Sequence, residues 1–160
     1  EQGDRIALQG KNGSGKTSLI KLILGEPIEH TGTLQVASHL NISFVSQDTS
    51  QLQGDLSSYA KENHIEESLL KAILRKLDFS RIQFTKDMRD FSEGQKKKVL
   101  IAKSLCQKAH LYIWDEPLNY IDIFSRMQLE ELLLEYTPTL LFVEHDQSFT
   151  EAIATKFVQL

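Results

Sequence analysis

A glycine-rich stretch, GKNGSGKT at residues 10–17, contains the residue types best suited to chemistry. It fits the phosphate-binding loop pattern G-x-x-x-x-G-K-[ST], with Gly10, Gly15, Lys16 and Thr17 at the fixed positions. Backbone N–H groups of such a loop surround phosphate oxygens, because glycine has no side chain to keep the phosphate away. The lysine ammonium reaches the terminal phosphates, and the threonine hydroxyl binds Mg²⁺. The stretch therefore predicts a nucleotide-binding site.

The residues on either side place this loop between a strand and a helix. Arg5 to Leu8 form a short apolar run that is typical of a buried strand, and Ser18 to Leu24 follow a helical pattern that ends at Gly25. A helix that begins at the loop adds roughly half a positive charge there, which favours a bound anion. We therefore expect the phosphate groups to contact the rest of the loop as well, namely Lys11, Asn12, Gly13, Ser14 and Ser18.

Two adjacent acids provide a second set of reactive groups. Leu111 to Trp114 form a continuous apolar run, typical of a buried parallel strand, and Asp115 and Glu116 follow it directly. Carboxylates at the end of a buried strand are costly unless they meet a cation. Adjacent residues of a strand point to opposite faces. Asp115 is therefore predicted to face Mg²⁺, and Glu116 to face an attacking water.

A glutamine and a histidine occupy the ends of two further predicted strands. Gln47 follows the strand Asn41–Val45, and His145 follows the strand Thr139–Val143. Both side chains are candidates for the site, because ligands of open α/β sheets gather at these strand ends. Two other interpretations stay open: a glutamine after a strand is often a solvated loop residue, and a lone histidine is usually structural.

A helix start in the middle of the chain is a third candidate. Ser92, with Gln95 three residues later, is typical of a capping box, and the helix is predicted to run to about Gln107. Helix N-termini attract anions, so Ser92, Gly94 and the first turn could receive a phosphate, although an ordinary cap is the alternative that these residues alone favour. The lysines at 96–98 are more typical of a solvated helix face than of a nucleic-acid patch.

The remaining pattern predicts an α/β fold with a mostly parallel sheet flanked by helices. The stretch from Gln51 to about Arg89 has apolar residues at helix spacing and no strand signal, which indicates a small helical subdomain inserted at about residues 51–105. Further predicted elements are a strand at Thr33–Val36, helices at about Ile123–Glu135 and Phe149–Ala154, and a short strand at Phe157–Gln159.

Composition narrows the class of protein. The chain has 160 residues, 41% of them hydrophobic, which is enough for one domain with a core. It contains no apolar run long enough to span a membrane. The net charge of −4 argues against a broadly basic nucleic-acid-binding surface. The single cysteine, Cys106, lies on an apolar helical face, so we expect a core residue and a reducing, cytoplasmic setting. The chain opens almost directly on a core strand, which gives the expectation of one piece of a larger protein, truncated at its N-terminus.

Taken together and in this order, the motifs resemble those of the ATP-binding cassette (ABC) ATPases, within the P-loop NTPases. The resemblance covers nearly the whole chain and implies a single nucleotide-binding domain that binds ATP and Mg²⁺. The motifs that carry it are GKNGSGKT, Gln47, FSEGQ at 91–95, LYIWDEP at 111–117, NYID at 119–122 and His145.

The resemblance also implies a role for each motif residue. Ser92, Gly94 and Gln95 match the signature that caps the ATP of a second, opposite cassette. The other roles are Lys16 and Thr17 as Walker A residues, Asp115 as the Walker B aspartate, Glu116 as catalytic base, Gln47 as the Q-loop glutamine beside the metal, Asp122 as the D-loop aspartate and His145 as the switch histidine.

Within that superfamily the chain resembles the ABC-F branch. PLNYID at 117–122 is similar to that branch's P-T-N-H-L-D, while KKKVLIAKSL at 96–105 and VEHDQSF at 143–149 are most similar to antibiotic-resistance ribosomal-protection proteins, in particular their second cassette. This resemblance implies ATP hydrolysis by one cassette of a protein that reaches the ribosome through its full length. The alternatives are the ATPase subunit of an ABC transporter and a non-catalytic, nucleotide-responsive interaction domain.

Two departures from the family pattern affect the expected activity. The usual signature L-S-G-G-Q is replaced by FSEGQ, and the carboxylate of Glu93 would weaken capping of a triphosphate by like-charge repulsion. The family's aromatic residue that stacks on adenine would lie upstream of Glu1. In the family geometry, moreover, a signature helix does not reach the phosphate loop of its own domain. The isolated domain is therefore expected to be a weak or inactive ATPase.

Overall fold

A five-stranded sheet forms the centre of the computed structural model, which describes residues 1–160. The strands are β1 (Arg5–Gln9), β2 (Ile42–Val45), β3 (Leu111–Asp115), β4 (Leu140–Val143) and β5 (Lys156–Gln159). Their order is β2-β3-β4-β1-β5, and every neighbouring pair is parallel. The predicted α/β fold is thus confirmed, and the carboxyl ends of all five strands lie along one edge of the sheet.

The strand register brings the ends of three strands side by side. Trp114 pairs with Val45 on one side and with Phe142 on the other, and Asp115 pairs with Val143. The chain segments that follow β2, β3 and β4 therefore begin side by side at the carboxyl edge of the sheet. Gln47, Glu116 and His145 lie in these three segments.

Six α-helices connect the strands. Asp and Ser side chains cap four of them, each by accepting a hydrogen bond from an amide of the first turn. No helix combines the length and the apolar character needed to cross a membrane. The helices are α1 (Lys16–Ile23), α2 (Leu56–Glu62), α3 (Glu67–Lys76), α4 (Glu93–Cys106), α5 (Ile123–Tyr136) and α6 (Gln147–Ile153).

The stretch between β2 and α4 is helical, as its periodicity predicts. It contains α2, α3 and two short 3₁₀ turns, at Arg81–Thr85 and Met88–Asp90. The apolar positions of α3 that repeat every fourth residue, Leu70 and Leu74, are fully buried. They join the main core cluster, which also contains Trp114 of β3. Packing of one amphipathic face against that core stabilises these short helices, which would be marginal on their own.

The predicted strand at Thr33–Val36 is wrong. No regular secondary structure occurs between Glu26 and Asn41, and the side chains of Leu34 and Val36 are 39% and 44% exposed. Alternation alone predicts a strand, but a strand forms only where a neighbouring strand satisfies its backbone groups and a core covers one face. This segment has neither.

The prediction that the lysines at 96–98 form a solvated helix face is also wrong. Lys97 is 1% exposed and Lys98 is 8% exposed. The ammonium of Lys97 donates to the Ser46 carbonyl oxygen at 3.1 Å, and that of Lys98 pairs with Asp122 at 2.9 Å. A run of like charges cannot reveal such partners, because they lie far away in the sequence. These two side chains are therefore not available to nucleic acid.

Cys106 lies at the edge of the core rather than inside it. The thiol is half-buried at the C-terminal end of α4 and packs against the main core cluster. Burial raises the pKa of the thiol to about 11, so that the side chain is protonated at neutral pH. The residue thus behaves as a small apolar side chain, in line with its place on the apolar helical face.

Candidate nucleotide-binding site

The glycine-rich loop connects β1 to α1 and places its lysine at the first helical residue. Gly15 precedes α1 with φ 100°, a left-handed conformation that glycine adopts without steric cost. The buried side chain of Lys16 then turns back over the loop, where Nζ donates to the carbonyl oxygens of Gly10 at 2.7 Å and Lys11 at 2.9 Å. Because an ammonium has three hydrogens, one more remains for an acceptor beyond the loop.

Residue 10 must also be a glycine because Leu160 and Ser14 lie very close to its backbone. A Cβ atom at this position would lie 3.0 Å from the Leu160 carbonyl oxygen and would overlap the hydroxyl of Ser14. Leu160 in turn donates its backbone N–H to Gln9 at 2.9 Å, which fixes the end of the chain against β1. A side chain at residue 10 would therefore push the loop away from the sheet.

A cavity of about 410 Å³ opens beside this loop. Gly10 and Lys16 line it on one side, and the residues after β4, including Glu144 and His145, line it on the other. The loop lysine and the strand-end histidine, which are far apart in the sequence, thus share one cavity. A larger cavity of about 890 Å³ contains no motif residue, since it lies at the opposite ends of β3 and β4. We therefore place the candidate site at the loop.

Asp115, the last residue of β3, is buried at the carboxyl edge of the sheet. Burial raises the pKa of this carboxyl group, the side chain of Gln47 lowers it by a hydrogen bond, and the negative charge of Glu116 raises it. The positive charges of Lys97 and Lys16 also lower it. Asp115 and Gln47 are thus brought together, as the strand ends predict. The raised pKa marks a carboxylate that lacks sufficient positive charge around it.

Glu116 leaves the strand with a left-handed backbone. Its φ is 51°, which is uncommon for a residue other than glycine and costs on the order of 1–3 kcal/mol where it occurs. Its amide still donates to the Val143 carbonyl oxygen of β4 at 2.9 Å. The left-handed turn therefore sets the direction of the Glu116 side chain. The sequence analysis had attributed that direction to the alternation of side chains along a strand, but β3 ends at Asp115.

Both oxygens of the Glu116 carboxylate are held. Oε1 lies 3.0 Å from Nε2 of His145, and Oε2 accepts a hydrogen bond from the side-chain amide of Asn119 at 3.0 Å. The histidine ring and the carboxylate come from two adjacent strands, β4 and β3. The sequence placed both residues at strand ends but could not show that they contact each other.

Glu144 is a residue that the sequence analysis missed. One of its carboxylate oxygens accepts from the Leu118 amide at 3.0 Å, and the other accepts from the amides of His145 at 2.8 Å and Asp146 at 3.2 Å. A single carboxylate thereby ties the turn after β3 to the turn after β4 and fixes the backbone of the histidine. The sequence signal was present, since an acid at the end of a buried strand needs partners.

The helix start at residue 92 forms the predicted capping box. The Ser92 hydroxyl accepts from the Gln95 amide at 3.2 Å, and the Gln95 side chain accepts from the Ser92 amide at 2.9 Å. No hydrogen bond joins this helix start to residues 10–18. The signature-like residues thus contact other parts of the chain and not the glycine-rich loop.

Gly94 is needed because another segment passes close to it. A Cβ atom at residue 94 would lie 2.5 Å from the backbone carbonyl oxygen of Tyr120, a residue that itself has φ 65°. We expect Gly94→Ala to lower the unfolding free energy by about 1–3 kcal/mol, because either α4 or the segment at 119–122 must shift. Thermal unfolding of the chain measures this change.

Ser68→Ala is the matched control for that substitution, since Ser68 is the exposed second residue of α3 as Gly94 is the second residue of α4. In an unobstructed helix, Gly→Ala stabilises by about 0.4–1 kcal/mol. The sign of the change in unfolding free energy therefore tests the contact. A Gly94→Ala variant as stable as the parent, or more stable, would show that the Tyr120 backbone moves away at no cost in free energy.

The oxygen donors at the strand ends suit Mg²⁺. Asp115 supplies a carboxylate, Gln47 an amide oxygen and Thr17 a hydroxyl on α1, and hard oxygen donors in small number are the ligands that Mg²⁺ takes beside nucleotide phosphates. The chain contains no group of three or more His, Cys, Asp or Glu side chains that could hold a metal ion by itself. The donor set thus fits a magnesium ion that also binds phosphate oxygens.

The raised pKa of Asp115 gives a prediction for Asp115→Asn. A carboxyl group whose pKa is raised in the folded state destabilises the fold once it is ionised, so its favourable contribution exists below its ordinary pKa of 3.8 and is lost as the pH rises. At pH 7 without magnesium, we expect the Asp115→Asn variant to melt at a higher temperature than the parent. Each kcal/mol corresponds to roughly 2–4 °C for a chain of this size.

The difference should shrink as the pH falls towards 3.8, and Mg·ATP should stabilise the parent more than the Asp115→Asn variant. Asp4→Asn is the control, because Asp4 pairs with Lys156 at 2.6 Å and its pKa is lowered to about 2. That substitution should change stability in the opposite direction. Destabilisation by Asp115→Asn at pH 7 would contradict the assignment.

The fold and the site together indicate a nucleotide-binding domain, and comparison with known proteins identifies its family. The family model described as "ABC transporter" matches residues 1–119, about three quarters of the chain. The chain belongs to this family, whose ATP-binding domains are the ATP-binding cassettes. They bind ATP with Mg²⁺ and act in pairs.

Its relatives confirm the ABC-F branch. The chain is 31% identical to the probable ATP-binding protein YbiT of Escherichia coli O157:H7 over 100% of its length and 31% of that protein. It is 33% identical to the ribosome protection protein VmlR of Bacillus subtilis, over 94% of the chain and 28% of VmlR. It is 32% identical to the ATP-binding protein Uup of Buchnera aphidicola, over 98% of the chain and 28% of Uup. The chain thus spans about three tenths of the length of these curated relatives.

Solved structures support the fold. One described as the ATP binding subunit of an ABC transporter superposes with a TM-score of 0.84 at 22% identity, covering 100% of this chain and 75% of that one. One described as ribosome-bound archaeal Pelota and ABCE1 superposes with a TM-score of 0.81 at 20% identity, covering 99% of this chain and 31% of that one. At these identities the likeness establishes a common fold.

Proposed function

We propose that this chain is an ATPase cassette of an ABC-F ribosomal-protection protein, formed by residues 1–160 with a helical subdomain at about 51–105. The observation that carries the proposal is the position of Glu116. Its carboxylate is held between His145 and Asn119 and follows directly after the buried Asp115, at the strand ends that also carry the loop of Lys16.

In this proposal Glu116 is the general base for hydrolysis. A base must be aimed at the water whose proton it accepts, and the two hydrogen bonds to its carboxylate restrict the orientation of Glu116. The His145 ring holds one of these oxygens, since its Nε2 atom lies 3.0 Å from Oε1 of Glu116. The buried Pro117 directly after the acid limits the backbone further.

The remaining motif residues bind the nucleotide. Lys16 donates to the terminal phosphates, and the amides of residues 10–18 surround the other phosphate oxygens. Mg²⁺, held by Thr17, Gln47 and Asp115, would neutralise the charge that develops on the transferred phosphoryl group. The lysine can serve without refolding of the loop, since its ammonium already lies over Gly10 and Lys11.

A second cassette completes the site. Ser92, Gly94 and Gln95 form no hydrogen bond to the loop of their own chain, so in this proposal they cap the ATP of the partner cassette. The isolated chain should then hydrolyse ATP slowly, at a rate that rises steeply with protein concentration. Fast turnover that does not depend on concentration would contradict the composite site.

The ribosome is the proposed partner of the whole protein. The support is the relative VmlR, described as a ribosome protection protein, together with the resemblance of PLNYID and VEHDQSF to that branch. Uup and YbiT are described as ATP-binding proteins, so the antibiotic-resistance role is the finer part of the proposal. ATP bound between two cassettes would favour a closed state that fits the ribosome, and hydrolysis would release it.

Co-sedimentation through a sucrose cushion tests this function. The full-length Glu116→Gln protein should pellet with ribosomes in the presence of ATP and remain in the supernatant with ADP. The same protein with Lys16→Ala in addition is the control, because it should lose the ATP-dependent pelleting.

Two outcomes would favour the other functions. Fractionation with membranes in both nucleotide states would indicate the ATPase subunit of a transporter. Pelleting with ribosomes that does not respond to nucleotide, in a full-length protein that does not turn over ATP, would indicate a non-catalytic interaction domain.

A further inference from the structure

The loop that carries Gln47 is held at both ends by one face of α4. The ammonium of Lys97 donates to the carbonyl oxygen of Ser46 at 3.1 Å, on one side of the glutamine. The hydroxyl of Thr49 donates to the carboxylate of Glu93 at 2.6 Å, on the other side. Glu93 and Lys97 are four residues apart on the helix and therefore lie on the same face.

Between these two anchors the backbone amides of the loop form only local hydrogen bonds. The Asp48 amide donates to the Ser46 hydroxyl at 3.0 Å, and the Ser50 amide donates to the Asp48 carboxylate at 2.9 Å. Gln47 itself is exposed, and it lies beside the end of β3, because Val45 of β2 pairs with Trp114, the residue before Asp115. The position of Gln47 relative to Asp115 thus depends on where α4 holds residues 46 and 49.

The donor of each anchor is buried, which makes both hydrogen bonds costly to lose. Lys97 is 1% exposed and Thr49 is 5% exposed. Burial lowers the pKa of Lys97, while the carboxylates of Asp115, Glu116 and Glu144 oppose that shift. A buried donor left without its acceptor typically costs about 1–3 kcal/mol. The loop therefore follows α4 rather than breaking these contacts.

Glu93 occupies the position where the ABC signature has glycine, and its carboxylate faces Thr49 and, at 3.7 Å, the ammonium of Lys96. A glycine at this position has no side chain that could reach the loop. The Glu93 carboxylate thus binds the loop through Thr49, whereas the sequence analysis expected it only to repel a triphosphate.

We propose that Glu93 and Lys97 are positioning residues that hold the 46–49 loop so that Gln47 stays beside Asp115 for magnesium binding. This inference rests on the proposed function, because it assigns Gln47 to the metal site. It adds two residues that act through the loop and do not touch the nucleotide themselves.

The test is the magnesium dependence of ATP turnover in the full-length protein. Thr49→Val and Glu93→Ala each remove the hydrogen bond, and each should raise the half-saturating Mg²⁺ concentration about tenfold, the effect typical of residues that orient metal ligands. Glu93→Gln and Thr49→Ser keep an acceptor and a donor, so they should restore values close to the parent. Thr33→Val, at an exposed threonine, is the control.

Two further variants separate positioning from charge. The double variant Thr49→Val with Glu93→Ala should be no worse than either single variant, because both remove the same contact. Lys97→Met, which keeps an unbranched side chain, should also raise the half-saturating Mg²⁺ concentration. If Lys97 acted only through its positive charge near Asp115, its removal would lower that concentration, and this result would overturn its positioning role.

A measurement on the 160-residue chain does not depend on turnover. Hydrogen exchange at the amides of Asp48, Ser50 and Leu52 should accelerate in Thr49→Val and stay unchanged in Thr33→Val. Unchanged exchange in Thr49→Val would refute the anchoring of the loop. A full-length protein without ATPase activity, by contrast, would refute the proposed function and leave the exchange result intact.

Discussion

Lys16→Ala should weaken the binding of Mg·ATP by between about ten- and a hundredfold. The ammonium is the one side-chain cation that lies over the loop, with two of its hydrogens on the carbonyl oxygens of Gly10 and Lys11 and one free. Hydrogen bonds to charged groups contribute about 1.5–3 kcal/mol, and each 1.4 kcal/mol is a factor of about ten in affinity. Isothermal titration calorimetry with Mg·ATP measures the loss directly.

The control for this substitution is Lys11→Ala, which removes the same charge from an exposed position of the same loop. It should cost much less, because its ammonium is not directed over the loop carbonyls. Lys16→Met separates binding from folding, since it keeps most of the buried stem and loses only the charge. Equal affinities of the parent and of the Lys16→Ala and Lys16→Met variants would remove the loop from the nucleotide site.

The strand ends are the part of the site that the sequence could predict. Gln47, Asp115 and His145 each follow a short apolar run, and such runs form parallel strands whose carboxyl ends meet at one edge. The capping box at Ser92 was predictable for a similar reason, because its two partners lie three residues apart. Local patterns suffice wherever the partners are close in the sequence or are ordered by the sheet.

The contacts between distant residues could not be predicted in this way. Lys97 looked like a solvated lysine because its partner, Ser46, lies 51 positions away in the sequence. The need for glycine at residue 94 depends on the path of Tyr120, which no local pattern contains. The same limit explains the wrong strand at Thr33–Val36, where alternation was present but a partner strand was not.

Glu116→Gln should leave ATP binding nearly unchanged in the full-length protein and slow hydrolysis by about a hundredfold or more. An amide cannot accept the proton of the attacking water, and loss of a general base typically costs about 10²–10⁴ in rate. Glutamine keeps an oxygen and the length of the side chain, so the contact with His145 or that with Asn119 can persist and the fold should be retained. Single-turnover measurements with Mg·ATP separate the chemical step from nucleotide release.

Glu151→Gln, at an exposed acid beside the same cavity, makes the same change of charge and should turn over at the parent rate. Normal hydrolysis by the Glu116→Gln protein would show that another group accepts the proton, whereas equal slowing by both variants would indicate an effect of net charge in the cavity and not of a base at residue 116.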